Sequence, residues 1–162
     1  MTLVLRPDRA FLLAHPAHFI SLGFGAGLAR FAPGTFGTLL AWPFGDFVHG
    51  LAPAAMLATL TALFLAGVWA CAVTGRNLGI HDHSGMVWDE FVAFLLVLAI
   101  VPRELAWQAA AFCLFRAFDI AKPPPIRDLE RRFEGGFGVM FDDLVAAGYT
   151  LLVLAAMQRL LP

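Results

Sequence analysis

Residues 51–73 read LAPAAMLATLTALFLAGVWACAV, a run of 23 residues without a charged side chain. As an α-helix this run is about 34 Å long at 1.5 Å per residue, which is enough to cross a hydrocarbon layer of ~30 Å. The run therefore predicts a membrane-spanning helix, and the remaining segments can be arranged around it.

Several shorter apolar segments accompany this run. They are residues 91–101, 105–118 and 144–157, and a weaker one at 36–48 that contains a proline and an aspartate. All are apolar around the whole helix circumference, which is typical of helices buried in protein or lipid. The pattern predicts an all-α fold: a compact bundle of about five hydrophobic helices, integral to a membrane, forming a single domain over residues 1–162. The shorter helices would need tilt, a thinned bilayer or partial immersion.

The composition excludes several classes of protein. Hydrophobic residues make up 60% and charged residues 14% of the chain, whereas soluble domains have about 45–50% and roughly 25%. The net charge of −1 argues against a nucleic-acid partner, and the two cysteines cannot form a disulfide framework. Residues 1–14 predict a retained N-terminal segment, because Arg6 and Arg9 interrupt the apolar run that a signal peptide needs.

The basic residues divide unequally when the helices are threaded back and forth across a membrane. Nine of the eleven fall on the side that also receives the polar motifs, and this side is predicted to be cytoplasmic by the positive-inside rule. The nine are Arg6, Arg9, Arg30, Arg76, Arg116, Lys122, Arg127, Arg131 and Arg132; Arg103 and Arg159 fall on the other side.

Two adjacent acidic pairs, Asp89-Glu90 and Asp142-Asp143, directly abut apolar helices on the cytoplasmic side. Carboxylates beside hydrocarbon are costly unless they are paired or bound to a cation. Converging carboxylates without thiolates suit Mg²⁺, and Asp119 is expected at the same depth. The alternative is that these acids only mark helix starts, where the helix dipole favours negative charge.

Arg116, Asp119 and Lys122 follow one another at i, i+3 and i+6 before a run of prolines. If the helix continues, they share one face, and the two cations could contact a phosphate. The alternative is an exposed ladder of ion pairs. Thr35, in Pro33-Gly34-Thr35, either caps a helix or helps to bind an anion at its N-terminus.

Two further motifs are less specific. His81, Asp82 and His83 provide two imidazoles with no nearby third histidine or cysteine, which does not favour a zinc site. Residues 134–138, EGGFG, predict a flexible loop, because they lack the lysine of a phosphate-binding P-loop.

Three stretches together resemble one known family. They are GFGAGLARFAPGTFGTLLAWPF at 23–44, GIHDHSGMVWDEF at 79–91 and FRAFDIAKPPPIRDLERRFEGGFGVMFDDLVAAG at 115–148. They resemble the phosphatidylglycerophosphatase A family, bacterial Mg²⁺-dependent lipid phosphatases that convert phosphatidylglycerophosphate into phosphatidylglycerol and inorganic phosphate. The resemblance implies an all-helical fold, a phospholipid substrate in the bilayer, and an active site facing the cytoplasm at the bacterial inner membrane.

The residue pattern and the resemblance together give a set of expected roles. Asp89, Glu90, Asp142 and Asp143 are expected to hold Mg²⁺, with Asp119 as a further ligand or general base. Arg116 and Lys122, together with Thr35, are expected to contact the substrate phosphate. Either a water activated by Mg²⁺ or a covalent phospho-aspartate agrees with this set.

Other functions and the oligomeric state stay open at this point. A different membrane phospholipid headgroup phosphatase or transferase would use similar carboxylates. A small divalent-cation transporter subunit would also need acids, but nearer the middle of the membrane.

Overall fold

The computed structural model describes residues 6–124 and 133–160, and every regular element within them is helical. This confirms the all-α fold class for the described part of the chain. Three basic residues that entered the charge comparison, Arg127, Arg131 and Arg132, lie outside the described residues.

The chain forms two short helices, an irregular 3₁₀ segment and five longer helices within the described ranges. They are α1 (Arg9–Ala14), α2 (Pro16–Ser21), the 3₁₀ segment (Gly23–Leu28), α3 (Pro33–His49), α4 (Pro53–Leu78), α5 (Trp88–Ile100), α6 (Leu105–Ala121) and α7 (Gly135–Leu160). Proline begins α2, α3 and α4, where its missing N–H is not needed and its fixed φ suits the first helical residue.

The hydropathy segments coincide with the longer helices to within two residues where they extend beyond them, but two helices begin earlier than expected. α3 begins at Pro33, and its N-terminal cap is Ala32 with no side-chain hydrogen bond, so the expectation that Thr35 caps it is wrong. α7 begins at Gly135, so the flexible loop expected at 134–138 is also wrong. A Cβ on Gly136 would lie 2.0 Å from the Val68 carbonyl oxygen. The glycine there permits close packing of α7 on α4.

α5 lies at the centre of the fold and contacts α3, α4, α6 and α7. Its side chains are buried on nearly all sides, with Phe94 and Leu98 among the fully buried ones. This central position explains why its sequence is apolar all round. Val101 and Pro102 end the helix, because a residue before proline avoids helical geometry.

Among the described residues, α4 and α7 are long and apolar enough to cross a membrane. Only 22% of the apolar window of α4 is buried inside the protein, and Leu57, Leu65 and Trp69 are exposed along it. Large uncovered apolar surface of this kind is unusual on a water-facing helix. α5, with 13 residues, is only about 20 Å long.

Candidate active site

One end of the helix bundle holds a cavity of about 220 Å³ where four helices and one loop meet. The N-terminal ends of α3 and α5, the C-terminal end of α6, α7 and the loop before α5 supply its walls. The lining residues are the acids Asp82, Asp89, Glu90, Asp119, Asp142 and Asp143, the cations Arg116 and Lys122, and Ala32, Pro33, Gly34, Ser84 and Met86. The fold thus brings together all the predicted site residues except Thr35.

Three of the acids form a tight cluster inside this cavity. Asp89, Glu90 and Asp143 each offer an oxygen, and these oxygens all lie within 4.8 Å of one another. Asp89 Oδ1, Glu90 Oε2 and Asp143 Oδ2 are buried and have no hydrogen-bond partner. Unpaired buried carboxylate oxygens at such short range are strongly unfavourable unless a cation or protons compensate them. The donor set therefore fits a hard divalent cation that takes oxygen ligands.

The titration of the first acidic pair reflects the same crowding. Burial raises the pKa of Glu90 to about 7, with a hydrogen bond to Asp89 acting in the opposite direction. Burial, followed by the charges of Glu90 and Asp143, also raises the pKa of Asp89 well above its usual range. A bound cation would favour the charged forms of these groups by direct attraction.

Arg116 links the acidic cluster to the C-terminal end of α6. Its Nη1 pairs with Asp119 one turn later and lies 3.6 Å from Glu90 Oε1. The side chains of Arg116 and Asp119 are only 14% and 12% exposed, so the alternative of an exposed ladder of ion pairs does not hold for this pair. The Nε–H of Arg116 is buried without a partner, which leaves a donor for a further anionic group.

Lys122 and Asp142 form a second ion pair at the edge of the cavity. The Lys122 Nζ donates to Asp142 Oδ2 at 2.7 Å, and the Asp143 N–H donates to Asp142 Oδ1 at 3.1 Å. Asp142 therefore stands apart from the three clustered acids, although it lines the same cavity. Its predicted role as a metal ligand and the predicted phosphate contact of Lys122 stay predictions.

Gly34, which the sequence did not single out, is the residue of α3 that approaches the acidic cluster. A Cβ at this position would lie 2.0 Å from Glu90 Oε1 and 3.1 Å from Arg116 Nη1. Thr35 follows it in the first turn of α3, where its N–H donates to the Ala32 carbonyl at 2.9 Å. The phosphate contact of Thr35 stays a prediction, since it is not among the residues that line the cavity.

Asp82 and Ser84 are further lining residues whose role the sequence did not indicate. The HDHSG motif that contains them gave no metal or phosphate role for either residue in the sequence analysis, and its histidines do not line this cavity. Their position gave one signal in the sequence: they lie in a polar loop directly before α5, whose first turn holds Asp89 and Glu90.

The described residues define a class: an all-helical protein, with two helices able to cross a membrane, that carries a buried cluster of carboxylates beside two cations at one end of the bundle. The sequence model of phosphatidylglycerophosphatase A matches residues 19–158. The chain belongs to the phosphatidylglycerophosphatase A family and is thus a phosphatase.

Individual relatives agree with this family. The phosphatidylglycerophosphatase A of Haemophilus influenzae is 44% identical over 155 residues, covering 94% of both chains. That of Escherichia coli is 40% identical over 136 residues, covering 83% of this chain and 78% of the relative. A Bacteroides thetaiotaomicron protein named "Putative phosphatidylinositol-3-phosphatase" is 42% identical over 144 residues, covering 84% and 89%. No solved structure matches the chain.

Proposed function

We propose that the chain hydrolyses the terminal phosphate monoester of phosphatidylglycerophosphate, releasing phosphatidylglycerol and inorganic phosphate. The observation that carries this proposal is the cluster of Asp89, Glu90 and Asp143 beside Arg116, in a chain whose relatives are named for this activity. Phosphate monoesters hydrolyse extremely slowly without a catalyst, so the site must supply strong electrostatic stabilisation.

Mg²⁺ is the cation that we propose for the acidic cluster. Asp89, Glu90 and Asp143 would hold it, and Asp142 would be the fourth predicted ligand. When bound, it supplies positive charge next to the phosphate and acidifies water. The unpartnered buried oxygens of the three clustered acids support this choice, because carboxylates are the ligands that Mg²⁺ prefers in proteins.

The remaining side chains of the cavity bind the phosphate and move protons. Arg116 would donate to phosphate oxygens through its guanidinium, which Asp119 and Glu90 hold in place. Lys122 would supply a second cation after exchanging part of its contact with Asp142 for the phosphate. Asp119 would accept a proton from the attacking water as the bond from phosphorus to the glycerol oxygen breaks, and would pass that proton to the departing glycerol oxygen.

We also propose that α4 and α7 cross the bacterial inner membrane with the cavity at the cytoplasmic side. Arg76, at the C-terminal end of α4, and the cavity residues Arg116 and Lys122 would then lie at the cytoplasmic end. Arg103, beyond the far end of α5, would lie at the opposite side. The lipid could keep its acyl chains in the bilayer while its phosphate reaches the cavity at headgroup level.

The test is phosphate release by the detergent-solubilised chain, with and without Mg²⁺. Phosphatidylglycerophosphate and phosphatidylinositol 3-phosphate are compared as substrates, because one relative is named for a phosphoinositide. We expect Mg²⁺-dependent release that is faster from phosphatidylglycerophosphate. Faster phosphate release from phosphatidylinositol 3-phosphate would contradict the proposed substrate. Release in excess chelator that equals release with Mg²⁺ would contradict the proposed cation. Trapping of a labelled phospho-protein would show that an aspartate attacks the phosphate, and not a water molecule.

A further inference from the structure

Directly beside the acidic cavity lies a second cavity of about 480 Å³ with the opposite charge. Arg6 and Arg30 line it together with His83 and Ser84, and no acidic side chain is among its lining residues. Neither arginine has a carboxylate partner among residues 6–124 and 133–160. Two uncompensated guanidinium groups around one cavity favour an anionic ligand.

The two cavities adjoin each other in the structure. Ser84 and Pro33 line both of them. The wall of the cationic cavity is fixed by a close backbone contact, because a Cβ on Gly27 would lie 1.9 Å from the Gly85 carbonyl oxygen. The Gly85 N–H donates to His83 Nδ1 at 2.9 Å. A neutral His83 ring with this contact carries its proton on Nε2, which is then a third potential donor.

A mainly apolar groove of about 580 Å³, which Arg9 also lines, adjoins the cationic cavity. Leu28 and Ala29 line both of them. Phe24 and Phe36, which line the groove, are 46% and 50% exposed. Phe24 also has a positive φ of 57°, a conformation that is strained for a bulky residue. The surface therefore runs from acidic cavity to cationic cavity to apolar groove.

This order matches the order of groups in the substrate of the proposed function, on which the inference rests. Phosphatidylglycerophosphate carries a terminal phosphate monoester, then a glycerol unit, then a phosphodiester, then the acyl-bearing glycerol. With the monoester in the acidic cavity, the phosphodiester is the next negative charge along the molecule. We propose that Arg6 and Arg30 bind this phosphodiester and thereby select lipids with a second phosphate next to the first.

The experiment measures three constants for the wild-type chain and for Arg30→Gln, Arg6→Gln and the double variant in mixed micelles. The first is KM for phosphatidylglycerophosphate. The second is the inhibition constant of phosphatidylglycerol, which keeps the phosphodiester but has no terminal phosphate. The third is the inhibition constant of inorganic phosphate, which has no phosphodiester.

Each single variant is expected to raise the first two constants roughly ten- to a hundredfold, as for the loss of a charge-assisted hydrogen bond. The inhibition constant of inorganic phosphate should stay within about twofold, because the acidic cavity is untouched. Arg30→Lys should recover part of the loss, since it keeps the charge but not the planar fork. Equal changes in all three constants, or no change in any, would overturn the proposal.

Arg76→Gln is the matched control. Arg76 is an exposed arginine at the proposed cytoplasmic end, and it lines a different cavity beside Gly75 and His81. All three constants should be unchanged in this variant. If Arg76→Gln raises the inhibition constant of phosphatidylglycerol as much as Arg30→Gln does, the arginines act only by attracting anionic micelles. The proposal then fails. Failure of the proposed function is distinct, because the wild-type chain would then not hydrolyse phosphatidylglycerophosphate.

Discussion

Replacement of Gly34 by alanine tests whether α3 forms one wall of the active site. The added Cβ would lie 2.0 Å from Glu90 Oε1, whereas ordinary van der Waals contact begins at about 3.4 Å. The Glu90 carboxylate must therefore move by about 1.4 Å, or α3 must move away from it. The carboxylate is the end of a flexible side chain, so we expect the side chain to move and the helix to stay.

The expected consequence is a loss of activity without a loss of the fold. A misplacement of about 1 Å in a catalytic arrangement can cost 10²-fold in rate, which corresponds to about 2.7 kcal/mol of transition-state stabilisation. Because Glu90 is a proposed Mg²⁺ ligand, half-maximal activity should also require more Mg²⁺. The helix itself should tolerate alanine, since glycine is the poorer helix former by about 1 kcal/mol.

The assay measures kcat, KM, Mg²⁺ dependence and melting temperature of Gly34→Ala in parallel with Gly148→Ala. Gly148 lies in α7, and a Cβ added there meets no atom within 4 Å. The control should keep wild-type kinetics with an equal or higher melting temperature. Gly34→Ala with wild-type kinetics and Mg²⁺ dependence would refute the placement of Glu90 in the catalytic machinery. A large fall in melting temperature would instead show that α3 was displaced.

Three further predictions follow from the same arrangement. Asp89→Asn and Asp143→Asn should each lower turnover by about 10²-fold or more and raise the Mg²⁺ requirement; near-normal activity of both at limiting Mg²⁺ would reject them as ligands. Lys122→Gln should raise KM or lower kcat with little change in Mg²⁺ dependence; a variant that melts at a lower temperature but keeps wild-type kinetics would leave Lys122 a structural role only. In a chain with both cysteines replaced by alanine, an impermeant thiol reagent should label Arg103→Cys in intact cells but His81→Cys only after permeabilisation; the reverse pattern would invert the proposed topology.

Hydropathy predicted the helices well but could not assign their surroundings. The segment at 91–101 is apolar all round because α5 is enclosed by four other helices, as the complete burial of Phe94 shows. The segment at 51–73 is equally apolar, yet α4 leaves much of its surface uncovered. Burial by protein and burial by lipid select the same residues, so hydropathy alone does not distinguish them.

Glycines misled the sequence reasoning because they serve packing at several positions here. The sequence EGGFG was expected to be a flexible loop, but Gly136 lies in α7 against the backbone of α4. Gly34 likewise allows α3 to approach Glu90, whereas the sequence predicted a role for its neighbour Thr35. Single-sequence reasoning recognises that glycine can permit a close approach, but it does not identify the partner.

The acidic pairs were found from sequence, whereas the separate positions of their members required the structure. Neighbouring residues on an α-helix point about 100° apart, so the packing of the helix decides whether both members of a pair reach one point, as Asp89 and Glu90 do. Asp143 contributes to the acidic cluster, while Asp142 pairs with Lys122. Arg6 and Arg30 were not predicted to be site residues, because nothing in their local sequence connects them to the HDHSG motif at 81–85.

The charge of the acidic cavity gives a physical reason for including a divalent cation in the proposed function. Six carboxyl groups and two basic side chains line it, a formal excess of four negative charges when all are ionised. A phosphate monoester carries ≈ −1.5 to −2 charges at pH 7, so it would be repelled by the cavity as a whole despite Arg116 and Lys122. Each divalent ion would offset two of these charges, and the unpartnered oxygens of Asp89, Glu90 and Asp143 are the atoms that we propose to hold it. On these charges we expect a bound divalent cation to weaken the repulsion and so to favour entry of the phosphate, in addition to any contribution to breaking the ester bond.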